Sequence, residues 1–137
     1  MACALFKLTL ARTNTIPILE PLARMNVILA IDHGTTRTKV LALDTEMRVV
    51  AQAAAELPLI YPQPGWVEQR LADILQVTSE AITACFRALP AGAIISAFGL
   101  ANQGETVLVW DRHTGEPVYN AIVWQDRRTA DECAALS

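Results

Sequence analysis

Chemistry-bearing residues concentrate most strongly in Asp32-His33-Gly34-Thr35-Thr36-Arg37-Thr38-Lys39, a polar stretch set between two apolar runs. Gly34 lets the backbone come close to a ligand and adopt φ > 0. Thr35, Thr36 and Thr38 add hydroxyl donors to the main-chain N–H groups, while Arg37 and Lys39 add positive charge. A carboxylate at a strand end, Asp32, can hold Mg2+ through waters. Donors, cations and a metal post are together what a polyphosphate requires. The arrangement is not a Walker loop, since GxxxxGK[ST] is absent. On composition alone the same residues equally suit an ordinary polar hairpin turn.

A second polar stretch, Asn102-Gln103-Gly104-Glu105-Thr106, follows an apolar run directly. Polar side chains at the carboxyl end of a strand in an α/β sheet lie where ligands bind. Amides and a carboxylate there can hydrogen-bond a hydroxylated substrate, the carboxylate accepting from two hydroxyls at once; a plain connecting loop is the alternative. In Trp124-Gln125-Asp126, Trp124 offers an apolar wall to a small carbon skeleton, or else packs in the core beside a helix cap. Pro64-Gly65-Trp66-Val67-Glu68 reads as a turn with its Trp packed over the sheet. His33 and His113 fall in turns, too separated for a metal site, and read as solvated loop residues.

These segments need a frame. Val27–Ile31, Lys39–Asp44 and Arg48–Ala54 read as three short strands joined by tight turns, an antiparallel meander. The prolines of Pro58–Gly65 exclude regular structure there. Across Arg70–Leu89, the residues Leu71, Ile74, Leu75, Ile82, Cys85, Phe86 and Leu89 recur at helical spacing, and Pro90-Ala91-Gly92 ends the helix. Ile94–Leu100 is nearly all apolar, the pattern of a parallel strand buried on both faces. The helix between strands makes a right-handed crossover the expected connection. Thr106–Trp110 and Pro117–Val123 flank a hairpin turn at Asp111–Glu116, and Asp126 is placed to N-cap a last helix running through Ser137. That helix has no stop signal, so the chain reads as truncated.

The chain has 137 residues, 53% hydrophobic and 18% charged, with net charge -3. This is one domain or a piece of one, too apolar for disorder. No apolar run approaches the ~18 residues of a spanning helix. Acidic residues outnumber basic ones, 14 to 11, which argues against nucleic acid as a partner. Cys3, Cys85 and Cys133 show no ligand spacing, the reduced pattern of an intracellular, here cytoplasmic, protein, and the last two read as small core residues. Two units result. Residues 25–137 form the α/β domain. Residues 1–24 are an extension: an upstream start, with translation truly beginning at Met25, is favoured over a mitochondrial-type presequence.

Asp32-His33-Gly34-Thr35-Thr36, YPQPGWVEQ at 61–69, NQGETVLVWD at 102–111 and YNAIVWQDRRT at 119–129, in this order, closely resemble the amino-terminal part of the FGGY carbohydrate kinases, glycerol kinases above all. The resemblance covers about residues 26–136. It implies a ribonuclease-H-like domain of the actin-like ATPase type: a mixed sheet with a three-strand antiparallel meander plus crossover helix. It also implies ATP, Mg2+ and transfer of the γ-phosphoryl group to a hydroxyl of a polyol or sugar. By matched position, Asp32 is the metal-associated carboxylate, and Gly34, Thr35 and Thr36 form the phosphate loop. Arg37 stands where glycerol kinases commonly have Ser, and Lys39 where they have an Arg near the phosphates. Glu105 binds substrate hydroxyls and Trp124 lines the substrate pocket. Gly104 replaces an Arg that donates to glycerol's hydroxyls, leaving space for a larger polyol or a ketose. The family's general base, an Asp, lies beyond residue 137, so this fragment is expected to be inactive alone, with a homo-oligomer open to the full-length form. A pentulose or other polyol kinase, a non-catalytic actin-like binding module, and a chaperone- or filament-type actin-like ATPase are the alternatives.

Overall fold

Alternation of apolar and polar residues builds the main sheet. The computed structural model describes residues 24–136; of the extension read over 1–24 all but Arg24, and Ser137, read as the end of the final helix, lie outside the described residues. Strands β1 (Met25–His33), β2 (Arg37–Leu43) and β3 (Val49–Glu56) form the expected antiparallel meander. Val27 and Leu29 of β1, with Val40 and Ala42 of β2, are buried on one face, while Ile28 is exposed on the other. The turn after β2 is organised by Asp44, whose carboxylate accepts from the Glu46 and Arg48 backbone N–H groups, both at 2.9 Å.

Helix α1 (Leu71–Arg87) lies over β2 and β3. Val77, Ala81 and Cys85, spaced four apart, form its buried line. Ala81 and Cys85 join Leu29, Val40, Ala42 and Ala51 in the core. Leu75 and Phe86, read from the periodicity as core residues, are exposed, because the apolar stripe is wider than the sheet beneath it.

Strand β4 (Glu68–Gln69) pairs with β6 (Ala121–Ile122) in a small second sheet, and β5 (Ala93–Asn102) lies between them in sequence. β5 runs parallel to β1, as expected, giving the mixed order β3-β2-β1-β5. Its expected burial on both faces does not occur: Phe98 is 74% exposed and Leu100 63%. α1 covers β2 and β3, so the edge strand β5 has no helix over it.

The segment 106–123 is a hairpin held by isolated bridges, Val107 to Ile122 and Trp110 to Pro117. Asp111 closes its turn by accepting from the His113 and Thr114 N–H groups, both at 2.8 Å. The last helix, α2 (Ala130–Ala135), is short and buries nothing, so Cys133 is exposed rather than a core residue. Asp126 does not cap it. Thr129 occupies the N-cap position, and the Asp126 carboxylate is bound elsewhere. Among the described residues no helix is long and apolar enough to cross a membrane.

Candidate functional site

The polar loop between β1 and β2 divides its side chains by strand alternation. Asp32 pairs with Lys39 across the strands, and both are exposed on the face away from α1. Asp32 and Lys39 line a cavity of about 410 Å3 floored by Ala30, Leu41, Gly99 and Ala101. The next pair, His33 and Thr38, points to the opposite face. Thr38 is fully buried, and its Oγ1 hydrogen-bonds His33 Nδ1 at 2.8 Å. Thr38 therefore adds no hydroxyl to the Asp32 face, contrary to expectation. Nor is His33 a solvated loop residue: it is half-buried toward Thr78 of α1. Burial holds its pKa below the ordinary 6.5, against the opposing charge of Asp32.

Gly34 is required for a different reason from the one read in sequence. It is not among the positive-φ residues. Its N–H donates to the Arg37 carbonyl at 2.9 Å, closing the turn, and a Cβ there would sit 3.2 Å from that oxygen. The carbonyls of Thr35 and Thr36 are both taken by internal donors, Gln69 Nε2 at 2.7 Å and the Leu57 N–H at 2.8 Å. Carbonyl oxygens would repel a phosphate. Occupying them internally leaves an exposed Thr36, the Thr35 hydroxyl, Arg37 and Lys39 as the loop's outward chemistry. These residues fit a nucleotide polyphosphate. Among the described residues no cluster of three or more His, Cys, Asp or Glu could hold a metal. Asp32 thus fits Mg2+ that arrives with phosphates and keeps its waters.

Gly104, Glu105 and Trp124 come together with Gln103 around a shallow cavity of about 350 Å3. Glu105 has φ 64, a conformation that costs a non-glycine residue of order 1 kcal/mol or more. A Cβ on Gly104 would meet nothing within 4 Å. Trp124 is half exposed, not a core residue, and its Nε1–H donates to Thr35 Oγ1 at 2.9 Å. That bond joins the cavity to the phosphate loop. Asn102 stands apart, because it pairs with His33 and so lies on the α1 side of β5.

A buried charge cluster that escaped the sequence reading holds this second half in place. Glu68, 1% exposed, accepts from Arg128 Nη2 (2.8 Å), Asn120 Nδ2 (2.9 Å) and the Tyr119 hydroxyl (3.0 Å). Asp126 accepts from the Val67 N–H at 2.7 Å and from Arg128 Nη2 at 2.8 Å. The Trp66 ring lies 3.9 Å from the Arg128 guanidinium. Hydrogen bonding to Arg128 outweighs burial and lowers the Asp126 pKa to about 2. Burial pushes Glu68 up, yet its bonds to Asn120, Arg128 and Tyr119 bring it below the ordinary carboxylate range. The cluster flanks Gln69 on one strand and Trp124 on the other. A two-residue strand shows no periodicity, and Glu68, followed by the polar Gln69 and the charged Arg70, gives no signal of burial in the sequence.

The N-terminal domain of the FGGY family of carbohydrate kinases matches residues 27–137. The chain is 50% identical over 111 residues to the glycerol kinase of Rhodospirillum centenum, covering 80% of this chain and 22% of that protein. The glycerol kinase of Burkholderia cenocepacia is 50% identical over 113 residues, with the same coverage. The chain therefore spans about a fifth of the length of the curated relatives it matches. Among solved structures, Plasmodium falciparum glycerol kinase with ADP superposes with TM-score 0.73 at 37% identity, covering 83% of this chain and 23% of that one. A xyloylose kinase from Brucella ovis gives TM-score 0.75 at 32% identity, covering 80% and 23%. The mixed sheet with its helix is the actin-like ATPase arrangement that these kinases share.

Proposed function

The chain belongs to the FGGY family of carbohydrate kinases, and on that premise we propose that it supplies the phosphate-loop and substrate-pocket part of an ATP-dependent kinase acting on a polyol or sugar. The observation that carries this reading is the 2.9 Å bond from Trp124 Nε1 to Thr35 Oγ1, which joins the cavity of Gly104 and Glu105 to the loop of Thr35 and Thr36 and so supports a shared site. In-line transfer needs donor phosphate and acceptor hydroxyl side by side, and positioning is most of what such enzymes contribute.

Thr35 and Thr36 donate to phosphate oxygens, and Lys39 and Arg37 neutralise their charge. Asp32 would hold the Mg2+ of the nucleotide, which would supply charge neutralisation to the phosphates. Glu105 accepts from substrate hydroxyls while Trp124 covers the carbon chain. Asp126 is not available as a general base, because its carboxylate is buried and committed to Arg128 and Val67. The reading is accordingly a fragment that binds without turning over alone. Open space at Gly104 favours a substrate one or two carbons larger than glycerol.

The test places residues 25–136 in the matching segment of the Rhodospirillum centenum glycerol kinase. Transfer from ATP is then measured to glycerol and to four- and five-carbon polyols and ketoses. Phosphorylation of at least one of them is expected. A folded fusion that neither binds ATP nor phosphorylates any of them overturns the reading.

A further inference from the structure

Gln69 lies between the two loops, fully buried, on a strand of two residues. We propose that Gln69 is a positioning residue, its amide tying Thr35 of the phosphate loop to the Gln103–Glu105 loop of the substrate pocket; this rests on the reading of those loops given above. The amide is used at both ends: Nε2 donates to the Thr35 carbonyl at 2.7 Å, and Oε1 accepts from Gln103 Nε2 at 3.0 Å. Gln103 is in turn anchored through its own N–H, which donates to the His33 carbonyl at 2.9 Å.

The direction of this chain is dictated from Thr35. A carbonyl only accepts, so Gln69 must turn its NH2 group toward Thr35 and its oxygen toward Gln103. Gln103 must then donate, which leaves its Oε1 buried with no partner. Turning the Gln103 amide over would set two oxygens face to face. A buried unsatisfied acceptor is uncommon and costly. Here it follows from fixing Thr35, whose own hydroxyl oxygen accepts from Trp124. With that lone pair occupied, the Thr35 O–H proton is directed away from Trp124, free to donate to a phosphate. Releasing the Thr35 carbonyl frees the peptide that follows, and with it the backbone that holds the Thr35 side chain in place.

Trp124 reports on Thr35 without any ligand, so the experiment uses this chain, labelled with 5-fluorotryptophan and observed by 19F NMR at low micromolar concentration. Trp66→Phe and Trp110→Phe assign the three resonances. Gln69→Met removes both bonds, and the Trp124 signal should move at every pH while that of Trp110 stays. Gln69→Glu can still donate when protonated and cannot when ionised. Its Trp124 signal should therefore match the unmutated chain near about pH 5 and approach the Gln69→Met position near about pH 9, since burial raises a carboxyl pKa. Should Gln69→Met fail to fold, the pH series of Gln69→Glu decides alone. A Trp124 signal unmoved in both variants, or displaced in Gln69→Glu equally at all pH values, overturns the proposal. Titration with Mg·ATP adds a second arm, where Gln69→Met should weaken apparent affinity about tenfold. An unmutated chain that gives no response to ATP counts against the phosphate-loop reading, while the ligand-free signals still judge Gln69.

Discussion

Thr35 and Thr36 stand in one loop but differ in surroundings: Thr35 is half-buried and accepts from Trp124, whereas Thr36 is exposed. Replacing both with Val keeps their β-branched shape and deletes two donors. Each lost bond to a charged group is worth roughly 1.5–3 kcal/mol, so ATP affinity of the kinase fusion should fall at least tenfold, while loss of the Trp124–Thr35 bond should cost stability only about 0.5–1.5 kcal/mol. Equilibrium nucleotide binding checks this, and unchanged affinity would return the loop to a plain turn. Gly104 makes the complementary case. Its φ is outside the left-handed region and its Cβ position is empty, so the backbone accepts a side chain there without strain. Gly104→Arg supplies a charged donor beside Glu105. It should raise the specificity constant for glycerol ten- to a hundredfold and lower that for bulkier polyols or ketoses, through roughly 1.5–3 kcal/mol of transition-state binding. Paired specificity constants on the two substrate sizes decide it; glycerol preferred already, with no gain from Arg, would place the missing donor elsewhere.

At the scale of elements, β4 and the segment 119–128 are joined by backbone pairing, by the buried Val67, Ala121 and Val123, and by charge. Arg128 pairs with two carboxylates that are 1% and 4% exposed. Arg128→Met should therefore destabilise the fold by about 3–5 kcal/mol, read by urea unfolding, since it strands both charges. The pH dependence follows from the lowered carboxylates. A carboxyl with a folded-state pKa near 2, against an ordinary 3.8, stabilises fully above about pH 4 and loses that contribution as the pH falls toward about 2. The unmutated chain should thus be level in stability from neutral pH to about 4 on this account. In Arg128→Met burial is no longer outweighed, the pKa values rise, and stability should instead increase on mild acidification. These elements also show what sequence could reveal. The meander and α1 were legible because their periods, two and 3.6, run for several turns or pairs. β5 was misread because an apolar run looks the same buried or at an edge, and sheet order is a tertiary fact. The split of Asp32 and Lys39 from His33 and Thr38 was legible in principle from alternation alone. Asp126 was misassigned as a cap because its partners, Val67 and Arg128, are brought to it by the fold, one from 59 residues away.

For the molecule as a whole, the outstanding property is apolar surface around β5 and the flank of α1 beside it: Phe98, Leu100, Leu75 and Phe86 are all exposed. Patches of this kind promote association. The 137-residue chain should bind a hydrophobic dye and self-associate as its concentration rises, and Phe98→Lys with Leu100→Lys should reduce both. Sedimentation velocity across a concentration series measures this; a monodisperse monomer throughout would refute it. The sheet order has a further consequence, in time. β1 finds its first partner, β2, a few residues later, but Met25 meets Ala93 only about 70 residues on, which at ribosomal speeds of ~5–20 residues per second is roughly 3 to 14 seconds. Throughout that interval one side of β1 emerges from the ribosome with its hydrogen-bonding groups unclaimed, so within the four-stranded sheet the strand that carries Asp32 is the first made and the last completed.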